Sequence, residues 1–177
     1  MCSSDLFYRD LVVPWPQDVE PRWQEILNRR AQGTPVAYIT EEKEFYGLSL
    51  QVTPAVLVPR PETEILVERA LELFREGALP PDARILDIGT GSGAIAVALA
   101  VNLPQAQIIA IDVSDQALAV ASANAERHGV QSRMTFEVGD LWPPSQSGTS
   151  VLVDRPKFHL IVSNPPYIAS EQIAQLS

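Results

Sequence analysis

The sequence predicts an α/β domain built on a doubly wound parallel sheet, and three observations carry that prediction. Strand-like and helix-like stretches alternate between Arg84 and Ser163. A glycine run, Gly89-Thr90-Gly91-Ser92-Gly93, sits between the first of these strands and the first helix. The 177 residues, 46% hydrophobic and 20% charged, suffice for one sizeable core of ordinary globular composition.

Residues 1–20 read as a tail or remnant, because Met1 to Gln17 hold no sustained period and Pro14-Trp15-Pro16 suits neither regular element. Residues 21–58 read as a residual helical region followed by a hairpin linker. Trp23, Ile26 and Leu27 fall on one helical face, with Pro21 in the first turn and Gly33 at the end. Alternation in Phe45 to Val52 around Gly47 predicts a small hairpin, placed as a lid or bridge. The main domain is taken as residues 59–177. Pro61, Glu62 and Glu64 suit a helix N-terminus ahead of Leu66, Val67, Ala70, Leu71 and Phe74.

Arg84 to Ile88 is the first strand of the sheet, and Ala94 to Val101 an alanine-rich helix. A strand at Ile108 to Ile111, a helix from Ser114 to His128 closed by Gly129, and a strand at Met134 to Val138 follow. Residues 143–156, rich in Pro, Ser and Gly, are a surface loop before a fourth strand, Phe158 to Ser163.

Thirteen Lys and Arg against 22 Asp and Glu give a net charge of -9, which opposes attraction to a phosphate backbone, so no nucleic-acid partner is expected. One cysteine, Cys2, and two histidines provide neither a disulfide framework nor a cysteine-rich zinc site, and no metal is expected. No stretch approaches the ~20 apolar residues of a membrane span. A cytoplasmic protein is the expectation.

The ends of successive parallel strands carry the chemistry. The glycine run lies where such sheets bind ligands, and its G-x-G-x-G spacing differs from the G-x-G-x-x-G that cradles a dinucleotide pyrophosphate. A nucleoside without phosphates fits it better. Asp112 falls 19 residues after Gly93, near the ~20 at which an acid meets ribose hydroxyls. It serves equally as a helix cap with Ser114 and Asp115. Asp140 ends the third strand, where it or the nearby backbone could meet an adenine amino group under Leu141 or Trp142. Asp87 either holds the glycine turn by hydrogen bonds or lies near a ligand's charged end. The fourth strand runs into Asn164-Pro165-Pro166-Tyr167. A side-chain carbonyl, a free backbone carbonyl and a ring make a slot for a planar NH group, although the same residues also make an ordinary turn.

Taken together, Asp87 to Gly93, Gly139-Asp140 and Asn164 to Tyr167 resemble the S-adenosylmethionine-dependent methyltransferases of Rossmann-like fold that modify amide or exocyclic amino nitrogens. Glu44-Phe45-Tyr46-Gly47-Leu48 and Pro59-Arg60-Pro61-Glu62-Thr63-Glu64 narrow the resemblance to the peptide chain release factor glutamine N5-methyltransferases, over roughly residues 29–169. The related ribosomal-protein glutamine methyltransferases usually carry Pro-Arg-Ser-Pro at that place. The resemblance implies S-adenosylmethionine as cofactor, held at Asp87, Gly89, Thr90, Gly91, Ser92, Gly93, Asp112, Asp140, Leu141 and Asn164. It implies a release factor as protein substrate, whose Gly-Gly-Gln glutamine is gripped by Asn164, Pro165, Pro166 and Tyr167, with Asn164, Pro165 and Tyr167 as catalytic residues. It also implies several more N-terminal helices and three further strands, so an incomplete sheet and a chain truncated at both ends are expected. The alternatives are an inactive fragment that retains at most cofactor binding, or methylation of a ribosomal-protein glutamine or a nucleic-acid amino group.

Overall fold

The computed structural model describes residues 20–143 and 157–165. The chain divides into two compact units between Thr40 and Glu41. In the first, helix α1 (Glu20–Ala31) closes at Gly33, whose φ of +89° lets its N–H reach the Arg30 carbonyl at 3.0 Å. A short helix α2 (Val36–Thr40), which no sequence period announces, follows. Arg29 donates from its guanidinium to the Tyr38 carbonyl at 3.0 Å and ties the two together.

The second unit opens with an antiparallel hairpin, β1 (Glu42–Phe45) and β2 (Leu48–Gln51). Its turn residues, Tyr46 and Gly47, both have positive φ, 50° and 72°, the twist that a two-residue hairpin requires. The sequence places the hairpin at 45–52, yet β1 begins three residues earlier. Glu42, Lys43 and Glu44 pair through their backbones and carry no β-favouring side chains to reveal it. The hairpin also belongs with the sheet rather than with the preceding helical region. Phe45 and Leu50 are buried in the main core. The fully buried Asn124 grips Gln51 by both backbone groups, accepting at 2.7 Å and donating at 2.9 Å. The hairpin is therefore a bridge into the core and not a lid.

A 3-10 turn, Pro61–Thr63, leads into helix α3 (Glu64–Arg75), as Pro61 and the acidic first turn predict. Strand β3 (Arg84–Ile88), helix α4 (Ala94–Asn102), strand β4 (Gln107–Asp112), helix α5 (Asp115–Arg127) and strand β5 (Met134–Val138) follow within one residue or so of their sequence assignments. Strand β6 (Leu160–Ser163) starts later than Phe158, because Phe158 packs edge-on against Trp142 instead, with ring centroids 5.5 Å apart. Residues 144–156, read as a surface loop, and the tail up to residue 19 lie outside the described residues.

All four strands are parallel, in the order β5-β4-β3-β6. Helix α4 is apolar on every side and buried from Ala94 to Ala100, and it packs on both α3 and α5. Its alanines let those neighbours approach closely, as an all-round apolar helix in a core must. Ile85, Leu86, Ile108 and Ile111 fill the sheet's side of that core. Successive strands are added to one side of β3 as β4 and β5 and then to its other side as β6, so the carboxyl ends of β3, β4 and β6 open onto one crevice at this switch point, the place where such sheets bind ligands. Among the described residues no helix is long and apolar enough to cross a membrane. Nor do any three His, Cys, Asp or Glu among them cluster in a way that could hold a metal ion.

Candidate active site

The crevice holds a cavity of about 610 Å³, within the usual range for small-molecule sites. Its floor is the turn after β3. Gly91 adopts a φ of +55° and directs its N–H at the Asp112 carboxylate, Oδ2, 2.9 Å away. Beside it the Thr90 N–H donates to the Ile111 carbonyl at 2.9 Å, so the turn is tied to the end of β4 twice. At Gly93 the reason for glycine is different. A Cβ there would stand 3.0 Å from Ala121 Cβ, on a backbone with φ of +78°, so the absent side chain lets α4 start against α5.

Asp112 serves two loops at once. Its Oδ1 accepts from the Ser114 N–H at 3.0 Å while Ser114 Oγ accepts from Ala117 N and caps α5. The carboxylate lines the cavity, and each oxygen retains a lone pair, so the loop-capping role and a ligand-facing role coexist. Next along the wall, Asp140 is exposed and Leu141 has a φ of +62°. Leu141 lines the cavity, whereas Trp142 turns away to Phe158. Leu57, Val113 and Leu141 come from three different loops and are 71%, 71% and 69% exposed around the opening. Apolar side chains gathered in this way suit a ligand with a flat apolar part.

At the far end Ser163 Oγ donates to the Ile88 carbonyl at 2.9 Å and pins the end of β6 beside the glycine turn. Asn164 then reaches the cavity, its Nδ2 donating to Thr63 Oγ1 at 2.9 Å, and Pro165 lies next to it. Pro166 and Tyr167 are outside the described residues. The turn, the acid and the amide, far apart in sequence, thus face one space.

Residues 63–176, more than half of the chain, match the family described as Methyltransferase small domain. The chain belongs to that family. Among curated relatives, this methyltransferase domain is similar to the "Release factor glutamine methyltransferase" of Nitratidesulfovibrio vulgaris, 46% identical over 155 residues, which are 88% of this chain and 49% of the relative. A protein of the same description from Bordetella pertussis is 46% identical over 152 residues, 86% of this chain and 52% of the relative. The chain therefore spans about half the length of the curated relatives it matches. Among solved structures, the N-terminal domain of human METTL16 in complex with SAH superimposes with a TM-score of 0.52 at 19% identity, covering 74% of this chain and 54% of that one. That likeness shows the Rossmann-like methyltransferase fold.

Of the residues singled out from sequence, Gly89, Thr90, Gly91, Ser92, Asp112, Asp140, Leu141, Asn164 and Pro165 line the methyltransferase cavity. Gly93 and Asp87 do not. Gly93 sits behind the cavity against α5. Asp87 is 1% exposed beneath the turn, where its Oδ2 accepts from Thr90 Oγ1 at 2.7 Å, so of its two assigned roles it takes the one that braces the turn. Burial pushes its carboxyl up to about 6, against smaller lowering pulls from the Thr90 hydroxyl and the Ala96 N–H and a further rise from the Asp112 charge. Its Oδ1 has no hydrogen-bond partner among the described residues.

Two contributors were given no place in the cavity from sequence, although Pro59, Arg60 and Thr63 belong to the Pro59–Glu64 motif. Residues 55–60 form a whole wall of the cavity, signalled only by the apolar Val56-Leu57-Val58 run ahead of Pro59. Thr63 is the other, because its partner lies 101 residues away.

Proposed function

We propose that the protein is an S-adenosylmethionine-dependent methyltransferase that methylates N5 of the glutamine in the Gly-Gly-Gln motif of a peptide chain release factor. One observation carries the reading: the glycine turn, Asp112 and Asn164 line a single cavity. The residues present fit the cofactor. Asp112 offers a carboxylate to ribose hydroxyls, Val113 and Leu141 offer apolar faces to an adenine ring, and the Gly89–Gly91 backbone leaves open space where any Cβ would otherwise stand. When bound, S-adenosylmethionine would supply an electrophilic methyl carbon on a sulfonium, so that the new C–N bond would take the amide nitrogen's electron pair, the C–S pair would return to sulfur and the amide proton would pass to water.

The chain's own part is positioning. Asn164 Oδ1 and the Pro165 carbonyl accept the two amide N–H bonds, and Tyr167, which ends the motif in the sequence, is the ring assigned to the amide plane. Such orientation supplies ~7 to 11 kcal/mol in well-aligned cases. Acceptors directed at the positive charge developing on nitrogen add electrostatic stabilisation. In this reading residues 59–177 carry the catalytic machinery and the protein works in the cytoplasm, where release factors act. The net charge of -9 favours a protein substrate over nucleic acid.

The test is transfer of a labelled methyl group from S-adenosylmethionine to a release factor. Label on the Gly-Gly-Gln glutamine, absent when that glutamine is replaced, supports the reading. Label appearing instead on DNA or RNA, with strong salt dependence, overturns it. A second reading, cofactor binding without transfer, is favoured by the completeness of the glycine-turn side among the described residues. Calorimetric binding of cofactor with no methyl transfer would select it.

A further inference from the structure

Thr63 occupies the position just before α3, where a threonine ordinarily turns its hydroxyl onto the helix's free N–H groups, yet it makes no capping bond. Its φ of -70° and ψ of -20° already belong to the helix, because the 3-10 turn runs straight into α3, and the side chain is released from that duty. The hydroxyl instead accepts from Asn164 Nδ2 at 2.9 Å. Asn164 Oδ1 has no hydrogen bond among the described residues.

The distinction matters because the two ends of an amide have opposite polarity. A methyl-acceptor amide presents N–H, so it needs Oδ1, and a rotation of Asn164 by half a turn would offer N–H to N–H. We propose that Thr63 is a positioning residue that anchors the Asn164 amide through Nδ2, the arrangement that leaves Oδ1 for the substrate. The proposal rests on the amide-transfer reading above for its consequence, though not for the bond itself. Thr63 is itself held from behind: the neighbouring Glu64 Oε1 accepts from the Tyr46 N–H at 2.9 Å, which fastens the start of α3 to the hairpin turn. Thr63 and Asn164 also both line a second cavity next to the first, with Arg60, Glu62, Ile65 and Leu66. The pair therefore stands between two spaces, only one of which carries the glycine turn and Asp112. That is where a group that orients one reactant toward another belongs.

The experiment compares Thr63→Val, which keeps the shape and loses the hydroxyl, with Thr63→Ser, which keeps the hydroxyl. In Thr63→Val the rate constant kcat for methyl transfer to the release factor should fall about tenfold to a hundredfold, as misplacement of a reacting group does. The calorimetric Kd for S-adenosylhomocysteine should stay within about twofold, since the Val side chain keeps the wall of the cavity, and Thr63→Ser should recover most of kcat. The second measurement does not depend on turnover. The Asn164 side-chain NH₂ signals in an ¹⁵N spectrum should exchange with solvent about tenfold faster in Thr63→Val than in wild type or Thr63→Ser, the rest of the spectrum reporting an intact fold. Unchanged Asn164 exchange in Thr63→Val overturns the proposal, as does loss of kcat that Ser fails to restore. If wild type transfers no methyl group while the exchange pattern holds, the positioning bond stands and the amide-transfer reading falls.

Discussion

On the glycine-turn side of the cavity, Gly91, Thr90 and Ser114 donate backbone N–H groups to Asp112 and Ile111, so each loop is braced by another. At the Asn164 end the side chain that lines the cavity is held, among the described residues, by one bond, Nδ2 to Thr63 Oγ1. The contrast is between a wall whose shape is over-determined and an acceptor whose orientation hangs on a single partner. A braced wall is built in advance of its ligand and tolerates the loss of one bond. A singly held amide can be mis-set by one substitution with nothing else disturbed.

The largest effect should come where no second support exists. Asn164→Ala should lower methyl transfer by a factor of at least 10², ~3 kcal/mol or more in the transition state, while cofactor affinity stays within about tenfold. Labelled transfer and calorimetry together check this, and full turnover by the variant would remove the acceptor role. On the braced side the largest loss should come from its buried anchor, Asn124. This fully buried amide serves Gln51 N–H, the Gln51 carbonyl and, at 2.9 Å, the Ser92 carbonyl in the glycine turn. Asn124→Ala leaves three polar groups without partners, so urea denaturation should show a loss of about 3 kcal/mol. A loss below about 1 kcal/mol would mean that water replaces the amide.

Asp87 gives a smaller and pH-dependent effect. Its carboxyl is raised from the ordinary 3.8 to about 6, chiefly by burial. The folded state thus holds the proton more tightly than the unfolded chain, and the resulting stabilisation is complete below pH 3.8 and lost as pH rises through 6. Between pH 5 and 8 wild type should lose about 1 to 2 kcal/mol that Asp87→Asn does not lose. Parallel pH slopes for the two proteins in thermal or urea unfolding would show that the carboxyl titrates normally. Smallest of all should be Asp112→Asn. The amide still accepts one of the two backbone N–H bonds, so cofactor affinity should fall only about fivefold to tenfold. A hundredfold loss by calorimetry would mean that the wall is less braced than its hydrogen bonds indicate.

The same contrast separates what the sequence could and could not reveal. Strands such as Arg84–Ile88 and Met134–Val138 were legible because their apolar runs and flanking turns are local signals. Gly91 and Asp112 were legible for the same reason, each standing at the end of a strand. At Asp112 the carboxylate accepts from the N–H of Ser114, the residue that caps α5, and the same carboxylate lines the cavity. Thr63 and Asn124 were invisible: each makes its deciding bond to a residue far away in the chain, and local propensity does not encode such partners. That Leu141 rather than Trp142 faces the cavity depended on the Phe158 ring, which also lies beyond the reach of local propensity.

The pairing of β6 with β3 has a consequence for the history of each molecule. Strands β3, β4 and β5 join through short crossovers, but Ser163 must return across 75 residues to bond with Ile88. Contacts of long sequence separation carry the greater loop-closure entropy and form late. A chain that has only begun to fold can therefore own the glycine-turn wall of the cavity before it owns the Asn164 end. The Asn164 end of the cavity is complete only once β6 has docked on β3.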